Sequence, residues 1–183
     1  MKLHIFGASG SGVTTLGTAL GEALGVPYFD SDDYFWAAST PPFTVRRPVA
    51  ARDALLARAL ARHPRWILGG SLVGWGEPWL AAFDLVVFLW LPPALRLQRL
   101  RQREQERYGN VISTDPVRAE QHRTFMKWAA GYDDNSASGH RTLANHTAWL
   151  DQFTCPVLEL RGDFSVHYRL NRVRATLHEL GLP

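Results

Sequence analysis

Gly7-Ala8-Ser9-Gly10-Ser11-Gly12-Val13-Thr14-Thr15 follows the short apolar run Leu3-His4-Ile5-Phe6 and leads into Leu16-Gly17-Thr18-Ala19-Leu20-Gly21-Glu22-Ala23-Leu24. A strand, a glycine loop and a helix in that order form a phosphate cradle. The glycines let successive backbone N–H groups turn inward on an anion, and the positive end of the helix dipole points to the same place. A plain strand-to-helix connection is the competing reading of these glycines. Position favours phosphate: the loop closes the first strand of the chain, and it holds no side chain that would obstruct an anion.

Set against the phosphate-loop (P-loop) pattern G-x-x-x-x-G-K-[ST], Gly7, Gly12 and Thr14 match, and Thr14 puts a hydroxyl where Mg²⁺ is met. Val13 stands in the place of the lysine. Gly7, Ser9, Gly10, Ser11, Gly12, Val13, Thr14 and Thr15 are therefore the expected nucleotide contacts. Without the lysine, the loop lacks a charge that helps neutralise a transferring phosphoryl group.

The 183 residues, 46% of them hydrophobic, can bury one substantial core, so one domain over 1–183 is expected. No run of about 18 apolar residues occurs, which predicts no membrane span. The N-terminus enters a strand directly, which predicts no signal peptide. Cys155 is the single cysteine and excludes an internal disulfide, in keeping with a cytoplasmic protein. The net charge is +3, and every basic residue except Lys2 and Lys127 is an arginine. Arginine forks suit phosphates, although GC-rich coding produces the same excess. Acidic residues are interleaved almost everywhere, which argues against a nucleic-acid groove. The histidines show no metal-site spacing with the lone cysteine.

Outward from the loop, Gly25 stops the first helix and residues 26–29 read as a short second strand ending on Asp30. Asp32 and Asp33 follow, then Tyr34, Phe35, Trp36 and a proline-rich loop with Arg46 and Arg47. Pro48 opens a helix over 48–63. Residues 66–68 form a third strand ended by Gly69-Gly70-Ser71, and 84–91 is the clearest strand, an apolar run that needs cover on both faces. Pro92-Pro93 starts a charged helix that carries Arg96, Arg99, Arg103 and Arg107 along one stripe. Residues 108–113 read as loop, 115–131 and 142–151 as helices, 157–160 as a fifth strand and 168–180 as a closing helix. Such alternation gives an α/β fold, a doubly wound five-stranded parallel sheet. Residues 108–141 interrupt it with extra helix and loop, which predicts a helical lid insertion on the phosphate side.

Taken together, Gly7 to Thr15, Asp30-Ser31-Asp32, Gly69-Gly70-Ser71 and the arginine helix ending in Tyr108-Gly109 resemble the small P-loop kinases typified by adenylate kinase and shikimate kinase. Within these, the chain looks like the adenylate-kinase-related proteins whose loop lacks the usual lysine. The resemblance covers nearly the whole chain and implies ATP and Mg²⁺ as cofactors. Asp30-Ser31-Asp32 resembles the D-x-D of shikimate-kinase-like enzymes, where the first carboxylate lies near Mg²⁺ and the second meets the acceptor hydroxyl. It implies Asp30 as a metal-side or base residue, with Thr14 on the metal, and Asp32 as a substrate contact facing the acceptor. Gly69, Gly70 and Ser71 resemble the strand end that lets substrate approach the backbone, with one arginine expected on an acidic acceptor group, from Arg52 on the flanking helix or Arg46 and Arg47 on the loop leading into it. Arg103 and Arg107 resemble the arginines that enter a lid and close on phosphates. Tyr132, Asp133, Asp134 and Arg141 are further lid candidates.

Physical chemistry supplies a parallel case. Carboxylates at the C-terminal end of a strand adjoining the loop strand sit where magnesium-bound waters and an acceptor proton need them. A solvated turn is the competing reading, since Asp and Ser favour turns. A kinase without the lysine needs another cation. Lys127, in the inserted helix beside Trp128, is a candidate with Arg103 and Arg107 to reach the phosphates when a lid closes. The expected function is an ATP-dependent small-molecule kinase, with a nucleoside monophosphate as the first acceptor to test and no nucleic-acid or membrane partner. The alternative is a nucleotide-binding module with little or no transfer that signals lid closure to a protein partner. Val13 favours the module; Asp30-Ser31-Asp32 favours the enzyme.

Overall fold

The computed structural model describes residues 1–40 and 42–182; Pro41, in the proline-rich loop, and Pro183 lie outside them. The strands are β1 (Lys2–Gly7), β2 (Tyr28–Asp30), β3 (Trp66–Gly69), β4 (Leu85–Trp90) and β5 (Val157–Arg161). The helices are α1 (Val13–Leu24), α2 (Ser31–Phe35), α3 (Val49–Ala61), α4 (Pro93–Tyr108), α5 (Val111–Thr114), α6 (Pro116–Ala130), α7 (Leu143–Leu150) and α8 (Val166–Glu179). All strand pairs are parallel, in the order β2-β3-β1-β4-β5. This is the five-stranded parallel α/β sheet that the alternation predicts.

Successive side chains of a strand point to opposite faces, so a fully buried strand must feed two cores. Leu3 and Ile5 of β1 and Leu85, Val87 and Leu89 of β4 pack with Leu16 and Leu20 of α1 and Val173 and Leu177 of α8. Phe6, Val86 and Phe88 face the other way, onto Leu56 and Leu60 of α3 and Trp149 and Leu150 of α7. The apolar run at 84–91 therefore has the double cover it requires.

Three expectations need correction. Strand β2 does not adjoin β1, because β3 lies between them. Asp30 is followed directly by helix α2, which its own carboxylate caps by accepting from the Asp32 N–H at 3.0 Å. Residues 111–113, read as part of a loop, join Thr114 in α5, where the Ser113 and Thr114 hydroxyls donate back to the Asn110 carbonyl.

Two histidines are buried in the core. His4 stacks on Phe6 and Phe83 with centroids 5.1 and 4.8 Å away, and its Nδ1–H donates to the Leu68 carbonyl at 3.0 Å. Burial lowers its pKa to about 4, and burial followed by the charge of Arg141 lowers that of His146 to about 3. Both folded values lie below the ordinary 6.5, so below that pH the unfolded chain takes up protons that the folded chain refuses. Stability is thus fully present above pH 6.5 and is lost as pH falls towards the folded values. Denaturant unfolding should show a loss of about 1.4 kcal/mol per pH unit per histidine, beginning before the carboxylates titrate. A flat profile from about pH 6.5 to 5 would contradict it.

Candidate active site

The loop after β1 presents its backbone to a cleft at the C-terminal edge of the sheet. Gly12 caps α1 with φ +95°, a conformation that a side chain opposes, and no side chain caps the helix. The first N–H groups of α1 are therefore left for a ligand. Gly7, Ala8, Ser9, Gly10, Val13 and Thr14 line the cleft from this side. Ser11 is fully buried behind them, and Thr15 is exposed outside the cleft.

Asp30 and Asp32 line the facing wall. Although β2 is two strands from β1, the Thr14 hydroxyl donates to Asp30 Oδ2 at 3.0 Å, and the Tyr28 hydroxyl donates to the same oxygen at 3.2 Å. Burial first, then the Asp30 charge, pushes the Tyr28 hydroxyl above its ordinary range, so it stays a donor. Asp32 Oδ1 accepts from Arg141 Nη2 at 3.0 Å. Burial, then the charges of Asp30 and Asp32, raises the Asp33 carboxyl, which lies outside the cleft. A hydroxyl and a carboxylate beside uncapped N–H groups fit Mg²⁺, which takes one or two protein oxygens and completes its octahedron with phosphates and water.

Gly70 and Ser71 line the cleft beside Asp30 and Asp32, while Gly69 packs against Tyr28. A Cβ at Gly70, where φ is +99°, would collide with Ser31 Oγ. Ser71 Oγ lies 3.1 Å from His146 Nε2, and His146 Nδ1 lies 2.9 Å from the Tyr132 hydroxyl. That buried histidine of α7, 75 residues from Ser71, ties the strand end to the segment after α6, a link that no local pattern announces.

The cations divide into two groups. Arg96, Arg103 and Arg141 line the cleft, and each has a carboxylate partner: Asp133 at 2.7 Å, Glu104 at 3.1 Å and Asp32 at 3.0 Å. Arg96, nearly fully buried, also donates to the Ala129 carbonyl at 3.0 Å and lies 5.1 Å over the Tyr132 ring. Sequence reasoning named it only as the first of the arginine stripe. Arg52, Arg107 and Lys127 are not brought to the cleft. Arg52 is buried 4.2 Å over Trp75 with its Nε on Asp53, Arg107 lies over Phe43, and Lys127 is exposed on α6. Trp128 and Tyr132, at the C-terminal end of α6 and just beyond it, close the cleft above the loop.

No family model matches the sequence. Among solved structures, shikimate kinase from Acinetobacter baumannii in complex with shikimate aligns over 100% of this chain and 95% of its own, with TM-score 0.57 and 15% identity. Shikimate kinase from Bacteroides thetaiotaomicron (TM-score 0.55, 18% identity) covers 97% of this chain and 98% of its own. A gluconokinase from Sinorhizobium meliloti 1021 (TM-score 0.52, 14% identity) covers 98% and 92%. At such identities the likeness shows the fold, that of the P-loop small-molecule kinases. In sequence, the uncharacterized protein YqaC of Bacillus subtilis (strain 168) is 43% identical over 172 residues, 94% of either chain. The chain belongs to the family of that Bacillus protein, and it is built on the P-loop kinase fold.

Proposed function

We propose that the chain is an ATP-dependent small-molecule kinase. The observation that carries the reading is the 3.0 Å hydrogen bond from Thr14 to Asp30. It joins the uncapped loop to a carboxylate on the opposite wall, where a metal between phosphates and protein belongs. In this reading the loop N–H groups orient the β- and γ-phosphates, and Thr14 and Asp30 hold Mg²⁺. The metal, when bound, offsets charge on the transferring phosphoryl. Asp32 takes the proton of the attacking hydroxyl, and Arg141 holds an anionic group of the acceptor. Arg103 faces the phosphates from α4.

A nucleoside monophosphate is the acceptor that resemblance to adenylate kinase puts first. The carboxylates favour a different one. A phosphate monoester is already largely ionised near pH 7 and needs no base, whereas an alcohol does. We therefore favour a small acceptor that carries both a hydroxyl and an acid group. In this reading residues 108–141, which give Trp128, Ala129, Tyr132 and Arg141 to the lining of the cleft, act as a lid that opens to admit nucleotide.

Val13 supports the second reading, a nucleotide-binding module with little transfer. A thermal-shift panel of MgATP, MgGTP and candidate acceptors, followed by γ-phosphoryl transfer assays with whatever stabilises, separates the two. The kinase reading expects stabilisation by a nucleoside triphosphate and transfer to an anionic alcohol. Stabilisation without transfer to any acceptor leaves the module.

A further inference from the structure

We propose that Arg169, 158 residues from the loop in sequence, supplies the positive charge that the loop lacks at Val13. The inference rests on reading the loop as a phosphate cradle. Arg169 stands on α8 and is 3% exposed. Its Nη1 donates to the Ser11 carbonyl at 2.7 Å, and its Nη2 donates to the Gly162 carbonyl at 3.2 Å. A Cβ built on Gly12 would lie 3.0 Å from Nη1, so the guanidinium sits against the residue immediately before Val13.

Its charge balance sets it apart. The three cleft arginines, Arg96, Arg103 and Arg141, each hold a carboxylate. Among the described residues Arg169 has no ion-pair partner, and its buried Nε has no hydrogen-bond partner. Asp163 acts on it through space, but that carboxylate accepts from Arg99 at 2.7 Å. Burial first, then the Arg99 charge, lowers the pKa of the guanidinium. A buried, uncompensated cation costs stability unless a counter-charge arrives. An anion in the loop is that counter-charge.

Arg169 approaches from outside the loop and acts through it, as a positioning residue. The carbonyl and N–H of a trans peptide point in opposite directions. A guanidinium on the Ser11 carbonyl therefore polarises the Gly12 N–H on the far side of that peptide. A lysine at position 13 would reach over the loop to the phosphates; Arg169 supports the same charge from beneath. Because the charge is buried, salt screens it little.

The test measures MgATP and inorganic tripolyphosphate affinity, together with the melting temperature of the ligand-free protein, in Arg169→Met, Arg169→Lys and Val13→Lys/Arg169→Met. Arg169→Met should weaken both ligands by about 10- to 100-fold and leave the ligand-free melting temperature equal or higher. A brace with a merely structural role would lower that temperature instead. Val13→Lys should restore affinity in the Met background, and Arg169→Lys should keep most of it. Unchanged affinity in Arg169→Met overturns the proposal. So does a loss in Arg169→Lys as large as that in Arg169→Met, or failure of Val13→Lys to rescue. Should Arg169→Met not fold, Arg169→Lys decides: retained affinity supports the charge, and a loss of about 10-fold or more rejects it. If the wild type binds neither ligand, the phosphate-cradle reading falls and the proposal with it; a wild type that binds while Arg169→Met binds equally removes the proposal alone.

Discussion

Asp30→Asn is expected to cut phosphoryl transfer by about 10²-fold or more while leaving the melting temperature close to that of the wild type. Asparagine is the informative change because Asp30 already has a structural task, the cap on α2 through the Asp32 N–H. Asn and Asp cap helices about equally well, and an amide oxygen still accepts from Thr14 or Tyr28. What the substitution removes is the charge that the proposed Mg²⁺ site needs. A residue that serves only a turn would tolerate it. Asp32→Asn should also cost about 10²- to 10⁴-fold, by loss of the base. Nucleotide affinity measured without metal should change little in either variant. Turnover in both variants within about threefold of wild type, far inside the 10² expected of an acid–base group, would return these carboxylates to a structural role.

The elements were legible where a local pattern has one physical solution. The glycine loop between an apolar run and a helix admits little else, and the run at 84–91 demanded helices on both faces, which α1, α8, α3 and α7 provide. Strand order was not legible, because neighbours in a parallel sheet are joined through crossovers whose length does not reveal which strand slips between. Hence Asp30 was placed one strand too near β1, although its contact with Thr14 forms all the same. Helix α2 was hidden because Asp-Ser-Asp-Asp suits a turn as well as a helix start, and only the cap geometry decides. Among the cations, composition and spacing single out Lys127 as a rare lysine and Arg107 as part of a stripe. Burial sets Lys127, which is exposed, apart from Arg96 in the cleft and Arg169 behind the loop, both nearly fully buried against loop carbonyls 87 and 158 residues away. Contacts of that range leave no periodic trace.

Arg141→Met should raise the acceptor KM by about 10²-fold and leave MgATP affinity unchanged. Arg141 lines the cleft together with Asp32, Gly70 and Ser71, the end proposed for the acceptor. At rest its charge is held by Asp32 at 3.0 Å, with the two side chains 28% and 38% exposed. A pair so open to water is worth little, about 0–1 kcal/mol, so an anionic group of the acceptor can displace Asp32 from it at small cost. On the proposed kinase reading, the exchange would free Asp32 Oδ1 to receive the hydroxyl proton and so tie arrival of the right acceptor to exposure of the base. Arg52 provides the comparison. It lies 4.2 Å over Trp75 and 5.7 Å over Phe35, with its Nε on Asp53, and it does not line the cleft. Arg52→Met should therefore lower the melting temperature more than it raises the acceptor KM, since it removes a cation seated on aromatic rings. An acceptor KM that rises in Arg52→Met and stays put in Arg141→Met would move the anion's seat to α3 and detach Arg141 from the reaction.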